Sequence, residues 1–183
     1  MRALVVYDSV FGNAEKIAQT IANGLKSKMD VEILCLSNVK PEQYTGFNLL
    51  IVGSPTRKFR PTAAIISLLK RIPRNGFKGV RAAAFDTRIS IEDVNSRFLN
   101  FMIKLFGYAA EPIANKLQKK GANLVVPAEG FFVEDSEYPL KDGELERAVD
   151  WAERIIKQQA TNSKNQRQIS NKSQIQNINE PNF

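Results

Sequence analysis

Short continuous apolar runs recur along the chain and alternate with segments in which apolar residues return every three to four positions. Continuous runs are typical of strands that are covered on both faces, whereas a period of about 3.6 residues is typical of amphipathic helices. The pattern predicts five strands, at 2–7, 31–36, 48–54, 80–85 and 123–133. Because strands that alternate with helices form right-handed crossovers, we expect an α/β fold with a parallel sheet.

The segments between these strands predict helices with one apolar face. The first carries Ile17, Ala18, Ile21, Ala22 and Leu25, and the second carries Ala64, Ile65, Leu68, Leu69 and Ile72. The third carries Ala110, Ile113, Ala114 and Leu117, and the last carries Leu145, Ala148, Val149, Ala152, Ile155 and Ile156. Gly121 is expected to stop the third helix, and Trp151 is interpreted as a packing residue of the last one.

Residues 1–158 are predicted to form one domain, a size that suits a single hydrophobic core. Residues 159–183 are rich in Asn, Gln and Ser, so we expect a disordered tail there. No apolar run reaches the roughly 18 to 20 residues of a membrane span, and the N-terminus lacks the features of a signal peptide. These observations predict a soluble, cytoplasmic protein.

The chain contains no histidine and a single cysteine, Cys35. Without histidine, Ser-His-Asp and Cys-His catalysis are excluded and the commonest zinc ligand is missing, so neither a catalytic triad nor a metal site is predicted. Cys35 shares a strand face with Val31 and Ile33, which indicates a buried structural thiol. Any reaction would therefore have to be carried by carboxylates, hydroxyls, lysines or a bound cofactor.

The net charge of +7 is compatible with an acidic partner. Nucleic acid is not expected, because no stacking platform or known binding motif accompanies the basic residues.

Three polar loops follow predicted strands and should meet at one edge of the sheet: "DSVFGNA", "SPTRKFRPT" and "DTRIS". The sequence has no G-x-x-x-x-G-K-[ST] and no G-x-G-x-x-G in its first loop, which excludes the two commonest nucleotide-binding loops. Gly53 stands where a phospho-acceptor receiver domain would have an aspartate. What remains is a helix N-terminus whose backbone N–H groups, with Ser9 and Asn13, can hold a phosphate. Ser9 and Asn13 are equally explained as turn and N-cap residues.

The segment "YDSVFGNAEKIAQTIANGL" is similar to the phosphate loop and first helix of flavodoxins, usually T/S-x-T-G-x-T. The segments "VGSPTRKFRPT" and "FDTRIS" lie where that family has the two loops that flank the isoalloxazine ring. The resemblance covers residues 1–156. It implies a three-layer doubly wound sandwich, with a five-stranded parallel sheet of order 2-1-3-4-5, that binds FMN without a covalent bond.

The resemblance also implies the cofactor-binding residues. Around the phosphate these are Ser9, Val10, Phe11, Gly12, Asn13 and Ala14. On one side of the ring they are Pro55, Thr56, Arg57, Lys58 and Phe59, and on the other Asp86, Thr87 and Arg88. The chain departs from the family at Val10, Phe11 and Ala14, which lack the usual hydroxyls. Phe59 is the one aromatic candidate for stacking in the ring loops, and a core role for it is the alternative.

Basic residues gather in the ring loops, at Arg57, Lys58, Arg60 and Arg88. Positive charge near the ring stabilises added electrons, so we expect a less negative potential than in acidic flavodoxins. The alternative is that these side chains form a solvated face.

The segment "IEDVNSRFLNFMIKLFGY" carries apolar residues on more than one helical face. A homodimer contact through 94–106, a partner groove, a lid over the flavin and a helix lying on a membrane would each use that surface. An ordinary crossover helix is the alternative.

We therefore expect an FMN-binding electron-transfer protein of the flavodoxin type, with an acidic redox partner protein. The alternatives are a small FMN-dependent NAD(P)H:quinone-type reductase and an interaction module that has lost its cofactor. No catalytic side chain is predicted in any of the three.

Overall fold

The computed structural model describes residues 1–36, 46–93, 96–134 and 139–158. The predicted tail at 159–183 and residues 94–95 of the apolar segment lie outside the described residues.

Strands and helices alternate along the described chain. The strands are β1 (Arg2–Tyr7), β2 (Asp30–Cys35), β3 (Leu49–Pro55), β4 (Arg81–Ile89), β5 (Asn123–Leu124) and β6 (Glu129–Val133). The helices are α1 (Asn13–Lys26), α2 (Ala63–Arg71), α3 (Arg97–Phe106), α4 (Ala110–Lys119) and α5 (144–158), and a short 3-10 helix spans Ile91–Asp93. The four helices predicted from apolar periodicity are all present.

The strands form one sheet of order β2-β1-β3-β4-β5, and every named strand pair is parallel. Val5 of β1 pairs with Ile33 of the edge strand β2 on one side and with Ile51 of β3 on the other, so β1 lies inside the sheet. The predicted fold class, a doubly wound sheet of order 2-1-3-4-5, is confirmed.

The fifth strand position differs from the prediction, because 123–133 is two short strands rather than one. Asn123 and Val125 donate N–H groups to the carbonyls of Val80 and Ala82. The next donor in this series would be Pro127, which has no N–H, so the ladder stops there. Pairing with β4 resumes at β6, with the register shifted by two residues relative to β5. Because the shift is an even number, the alternation of side chains between the two faces of the sheet is preserved.

β4 is longer than predicted, so "DTRIS" is largely strand rather than loop. Ser54 and Pro55 of β3 pair with Asp86 and Thr87 on one side. On the other side β6 pairs with β4 as far as Ile89. Pairing on both edges extends the strand through Asp86, a residue type that is depleted in strands.

Two apolar clusters cover the two faces of the sheet. One joins Val5 and Ile51 to α1 and α5, and the other joins Leu4 and Val52 to α2 and α4. Together with the sheet they form the three predicted layers. Cys35 packs against the first cluster but is only half-buried, so the expectation of a buried thiol is only partly met.

Three aromatic rings form the centre of the first cluster. Phe85, Phe131 and Trp151 meet edge to face, with ring centroids 6.0 to 6.3 Å apart. Trp151 is fully buried, as its packing interpretation requires. A Cβ on Gly53 would lie 2.0 Å from the Phe85 ring, so this position must be glycine.

α3 lies between β4 and α4 and leaves much of its apolar surface uncovered. Phe98, Phe101 and Leu105 are 72%, 60% and 60% exposed, whereas Ile103 on another face is buried. Among the residues that the structure describes, no helix has the length and apolarity needed to cross a membrane.

Candidate functional site

The carboxyl ends of β1, β3 and β4 border a cavity of about 770 Å³. All of the predicted site residues line this cavity except Gly12 and Asp86. In an open parallel sheet this edge is where ligands bind, at the point where the strand order reverses. The volume lies within the range of about 300 to 1,000 Å³ that is usual for small-molecule pockets.

The β1–α1 loop forms one end of the cavity. Gly12 is the N-cap residue of α1, with a φ of 83° that favours glycine, and it offers no side-chain cap. The Ser9 hydroxyl accepts the Glu15 N–H at 3.4 Å. Asn13 and Ala14 are buried at the start of the helix and line the cavity. The positive end of the α1 dipole is therefore directed at the cavity.

Two other helices begin near the same cavity, and N–H groups in their first turns also have protein acceptors. The Thr62 side chain accepts from Ile65 at the start of α2. At the start of α4, Ala110 donates to Asp86 at 2.7 Å. Gly12 has no side chain to occupy the start of α1, and the Ser9 hydroxyl that accepts from Glu15 there can still donate to an anion, so the start of α1 is a suitable anion site.

A tight turn after β3 forms the second wall. Arg57 and Arg60 exchange backbone hydrogen bonds of 2.9 and 3.2 Å, and the turn between them consists of Lys58 and Phe59. Both turn residues have left-handed φ values, 49° and 64°. Such values are unusual for a bulky residue and are maintained only where surrounding contacts enforce them. One such contact is the Phe106 ring, whose centroid lies 6.1 Å from that of Phe59.

Asp86 lies behind the cavity wall rather than in it. The residue is fully buried, and its carboxylate accepts the Thr56 hydroxyl at 3.0 Å and the Ala110 N–H at 2.7 Å. The Thr56 hydroxyl in turn accepts the Ala109 N–H at 2.9 Å. Complete burial raises the pKa of Asp86, while Arg88 and the Ala110 N–H act in the opposite direction. Asp86 thus holds the turn after β3 to the start of α4.

Arg88 lines the cavity, but its guanidinium is engaged by other residues. It donates to Asp86, with Nη2 to Oδ2 at 2.9 Å, and its Cζ lies 4.0 Å from the centroid of the Tyr108 ring. Burial lowers the pKa of Arg88, but the charge and hydrogen bond of Asp86, together with Glu111 and Tyr108, outweigh burial, so the pKa is raised. A Cβ on Gly130 would lie 2.2 Å from Arg88 Nε, so the side chain packs directly on the backbone of β6.

The positive charge at the cavity therefore differs from the sequence-based expectation. Arg57, Lys58 and Arg60 are exposed beside the cavity, as expected. Arg88 adds little to the field there, because the adjacent Asp86 carboxylate compensates its charge.

Tyr108, Ile103 and Val133 also line the cavity and were missed by the sequence analysis. Tyr108 is an aromatic wall residue in addition to Phe59, held by a hydrogen bond from its hydroxyl to the Ile89 carbonyl at 3.1 Å. Its position just before α4 was a usable signal, because helices that follow parallel strands begin at the carboxyl edge of the sheet. Ile103 and Val133 gave no comparable signal.

The comparison with protein families settles the relationship of this chain. The model of the family described as Flavodoxin matches residues 5–151. The chain belongs to the flavodoxin family. Members of this family bind FMN, so the prediction of FMN as the cofactor is confirmed at the level of the family.

Solved structures with the same fold are numerous. Oxidised flavodoxin 1 from Bacillus cereus is 16% identical, with a TM-score of 0.67 over 86% of this chain and 98% of that one. A flavodoxin from the domain Archaea is 24% identical, with a TM-score of 0.61 over 85% and 99%. Rubredoxin oxygen:oxidoreductase from Desulfovibrio gigas is 18% identical, with a TM-score of 0.66 over 89% of this chain and 36% of that one. No curated protein sequence matches the chain significantly.

The residues at the cavity suit FMN. The backbone N–H groups at the start of α1 suit a phosphate, and the aromatic and apolar side chains of Phe59, Tyr108 and Ile103 suit a flat ring. Val10, Phe11 and Ala14 offer backbone N–H groups but no hydroxyls, so hydrogen bonds to the phosphate would come largely from the backbone.

Proposed function

We propose that this flavodoxin-family chain binds FMN noncovalently at the carboxyl edge of its sheet and transfers electrons between partner proteins. The observation that carries the proposal is the convergence of the N-terminus of α1, the 55–60 turn and aromatic walls on one cavity. When bound, FMN supplies the redox chemistry by taking up and releasing electrons.

The chain's own residues have two roles in this proposal. The backbone at Gly12, Asn13 and Ala14, with the Ser9 hydroxyl, holds the phosphate in the positive field of α1. Phe59 and Tyr108 enclose the ring and limit access of water, while Thr56, through its bonds to Asp86 and Ala109, keeps the wall in place.

The direct test is the visible spectrum of the purified protein, followed by FMN titration of the apoprotein. Flavin absorbance bands and saturable binding support the proposal. A folded protein that lacks flavin and does not bind added FMN contradicts it and favours an interaction module without cofactor.

Ala14→Thr should tighten FMN binding about tenfold, because the new hydroxyl adds one hydrogen bond to a charged acceptor. The matched control is Ala64→Thr, which makes the same change at the same position of α2, outside the cavity lining, and should leave the dissociation constant unchanged. Fluorescence titration measures both. Equal affinities for the Ala14 variant and wild type would argue against a phosphate at α1.

Arg57→Glu should make the potential of the bound flavin more negative, because it replaces an exposed positive charge beside the cavity with a negative one. Arg74→Glu, an exposed position between α2 and β4, makes the same charge change away from the cavity and is the control. Redox titration of the three proteins measures the effect. An unchanged or less negative potential in the Arg57 variant would contradict an electrostatic role for this residue.

A second candidate function is a small FMN-dependent NAD(P)H:quinone-type reductase. The observation that favours it is the set of exposed cations beside the cavity, Arg57, Lys58 and Arg60, which could attract a phosphate-bearing nicotinamide. Steady oxidation of NADH or NADPH by the holoprotein in the presence of a quinone would favour the reductase over the electron carrier.

A further inference from the structure

α3 presents one continuous apolar face to solvent. Phe98, Phe101 and Leu105 recur at positions i, i+3 and i+7, so they lie on the same side of the helix. Phe106 beside them is 54% exposed. We call these four side chains, together with Arg97 and Lys104 of the same helix, the α3 face. Large apolar side chains grouped in this way are unusual on a surface that has no binding role.

The α3 face is continuous with the mouth of the cavity. The Phe106 ring contacts Phe59, and Phe59 belongs to the turn that carries Arg57. Arg57 Cζ lies 5.3 Å from the centroid of the Phe11 ring, which is 42% exposed. Apolar and basic side chains therefore extend from α3 across the turn to the β1–α1 loop.

The exposed charges of this region are positive, and Asp8 at the start of the β1–α1 loop is half-buried and accepts the Ser9 N–H. Segments 9–12, 56–62 and 97–106 contain five Lys and Arg residues and no Asp or Glu. All five cations are exposed: Arg57, Lys58, Arg60, Arg97 and Lys104. Two copies of this chain would bring the same positive charge together across such a face, which disfavours a homodimer. The charge instead favours an occupant that is negative at its surface.

We propose that the α3 face docks on the surface of an anionic phospholipid bilayer. The boundary between headgroups and acyl chains accepts Phe and Leu side chains on one face of a helix, while anionic headgroups attract the flanking Lys and Arg. α3 has ten residues and is too short to cross a bilayer. It would lie in the interface, with the cavity mouth facing the lipid.

The experiment is co-sedimentation of the full chain with two kinds of vesicle. One kind is phosphatidylcholine alone, and the other contains about one-third phosphatidylglycerol, enough to give a strongly negative surface. We expect binding to the anionic vesicles at low salt, and at least tenfold weaker binding both to phosphatidylcholine and in about 0.5 M NaCl, which screens the charges.

Two variants test the two components of the α3 face. Phe98→Ser with Phe101→Ser removes apolar contact without touching the cavity lining, and Arg97→Glu with Lys104→Glu reverses two charges. Each should weaken binding to anionic vesicles at least tenfold. Circular dichroism and thermal unfolding confirm that the variants remain folded.

Each variant has a matched control elsewhere on the molecule. Leu145→Ser with Val149→Ser removes two exposed apolar side chains from α5. Lys26→Glu with Lys119→Glu reverses two exposed charges, in the last turns of α1 and α4, at the opposite edge of the sheet. Both controls should bind like wild type or within about twofold of it.

Three outcomes would overturn the proposal. The first is folded wild type that does not sediment with anionic vesicles at low salt. The second is binding that the α3 variants and their controls weaken equally, which would indicate attraction through net charge alone. The third is a wild-type protein that does not bind vesicles and is a dimer by sedimentation equilibrium without lipid, while the Phe98 and Phe101 variant is a monomer. That result would assign the α3 face to a second copy.

Discussion

Asp86 shows how the role of a single residue depends on partners that are far away in sequence. It follows an apolar strand, which suggested a loop beside the ring. In the structure its buried carboxylate instead joins Arg88 of its own strand, Thr56 from the turn after β3 and Ala110 at the start of α4. Two of these partners lie 30 and 24 residues away, so the local sequence could not reveal them.

Asp86→Asn should lower the free energy of unfolding by about 3 kcal/mol, because it leaves the Arg88 cation buried without its carboxylate. The control is Glu111→Gln, which removes a half-exposed partner of Arg88 and should change stability by less than about 1 kcal/mol. Urea unfolding measures both variants. Equal losses would mean that burial of the Asp86 pair has no special weight.

Tyr7 should make the protein sensitive to alkali. Burial, with the hydrogen bond from its hydroxyl to Glu15 at 3.0 Å, raises the pKa of Tyr7. Above the unfolded pKa of about 10 the unfolded chain releases the proton while the folded chain keeps it, so stability falls as pH rises.

Tyr7→Phe removes this contribution. Above about pH 10 the free energy of unfolding of this variant should fall less steeply with pH than that of wild type. The two slopes should differ by about 1.4 kcal/mol per pH unit. Denaturant unfolding at several pH values gives the two slopes. Parallel curves for the two proteins would rule out Tyr7 as the group responsible.

At the scale of elements, the spacing of apolar residues predicted the helices, whose positions depend mainly on nearby residues. The periodic apolar residues of α1, α2 and α4 placed those helices correctly, because each helix buries one stripe. The polar end of β4 and the interruption at Pro127 were missed. The first depends on pairing with β3 and β6, and the second on one absent donor in a ladder whose register cannot be inferred from the sequence.

The turn at Lys58 and Phe59 is an element whose sequence does not match its conformation. Two-residue turns with left-handed φ values at both positions normally use Asn and Gly. Lys58→Asn should therefore stabilise the protein by up to about 1 kcal/mol, because Asn adopts this conformation more readily.

The control for the turn is Lys70→Asn, within α2, where Asn is the poorer helix former and stability should fall by about 0.5 kcal/mol. Thermal or denaturant unfolding shows the sign of each change. A loss of stability at both positions would mean that the Lys58 backbone is not strained.

At the scale of the whole molecule, the cavity is where separate parts of the chain meet. The sequence predicted the edge of the sheet and most of the residues there, because the carboxyl ends of parallel strands meet at one edge. It did not predict Ile103 and Val133, which reach the cavity only through the packing of α3 and the shifted register of β6.

At this scale the cations near the cavity also fall into two groups, exposed and buried. The cations beside the cavity are exposed, whereas the charge of Arg88 is compensated by Asp86 within the fold. An acidic redox partner and an anionic bilayer would both approach from the same side. The vesicle experiment and the redox titration therefore examine different uses of one positive field.

The close packing of Arg88 on Gly130 has an evolutionary consequence. A side chain at position 130 is tolerated only after the arginine has been lost, since its Cβ would occupy the place of Arg88 Nε. Loss of the arginine alone leaves Asp86 buried without its cation. Related chains should therefore change Asp86 and Arg88 together, and should carry a side chain at position 130 only where the arginine has been lost.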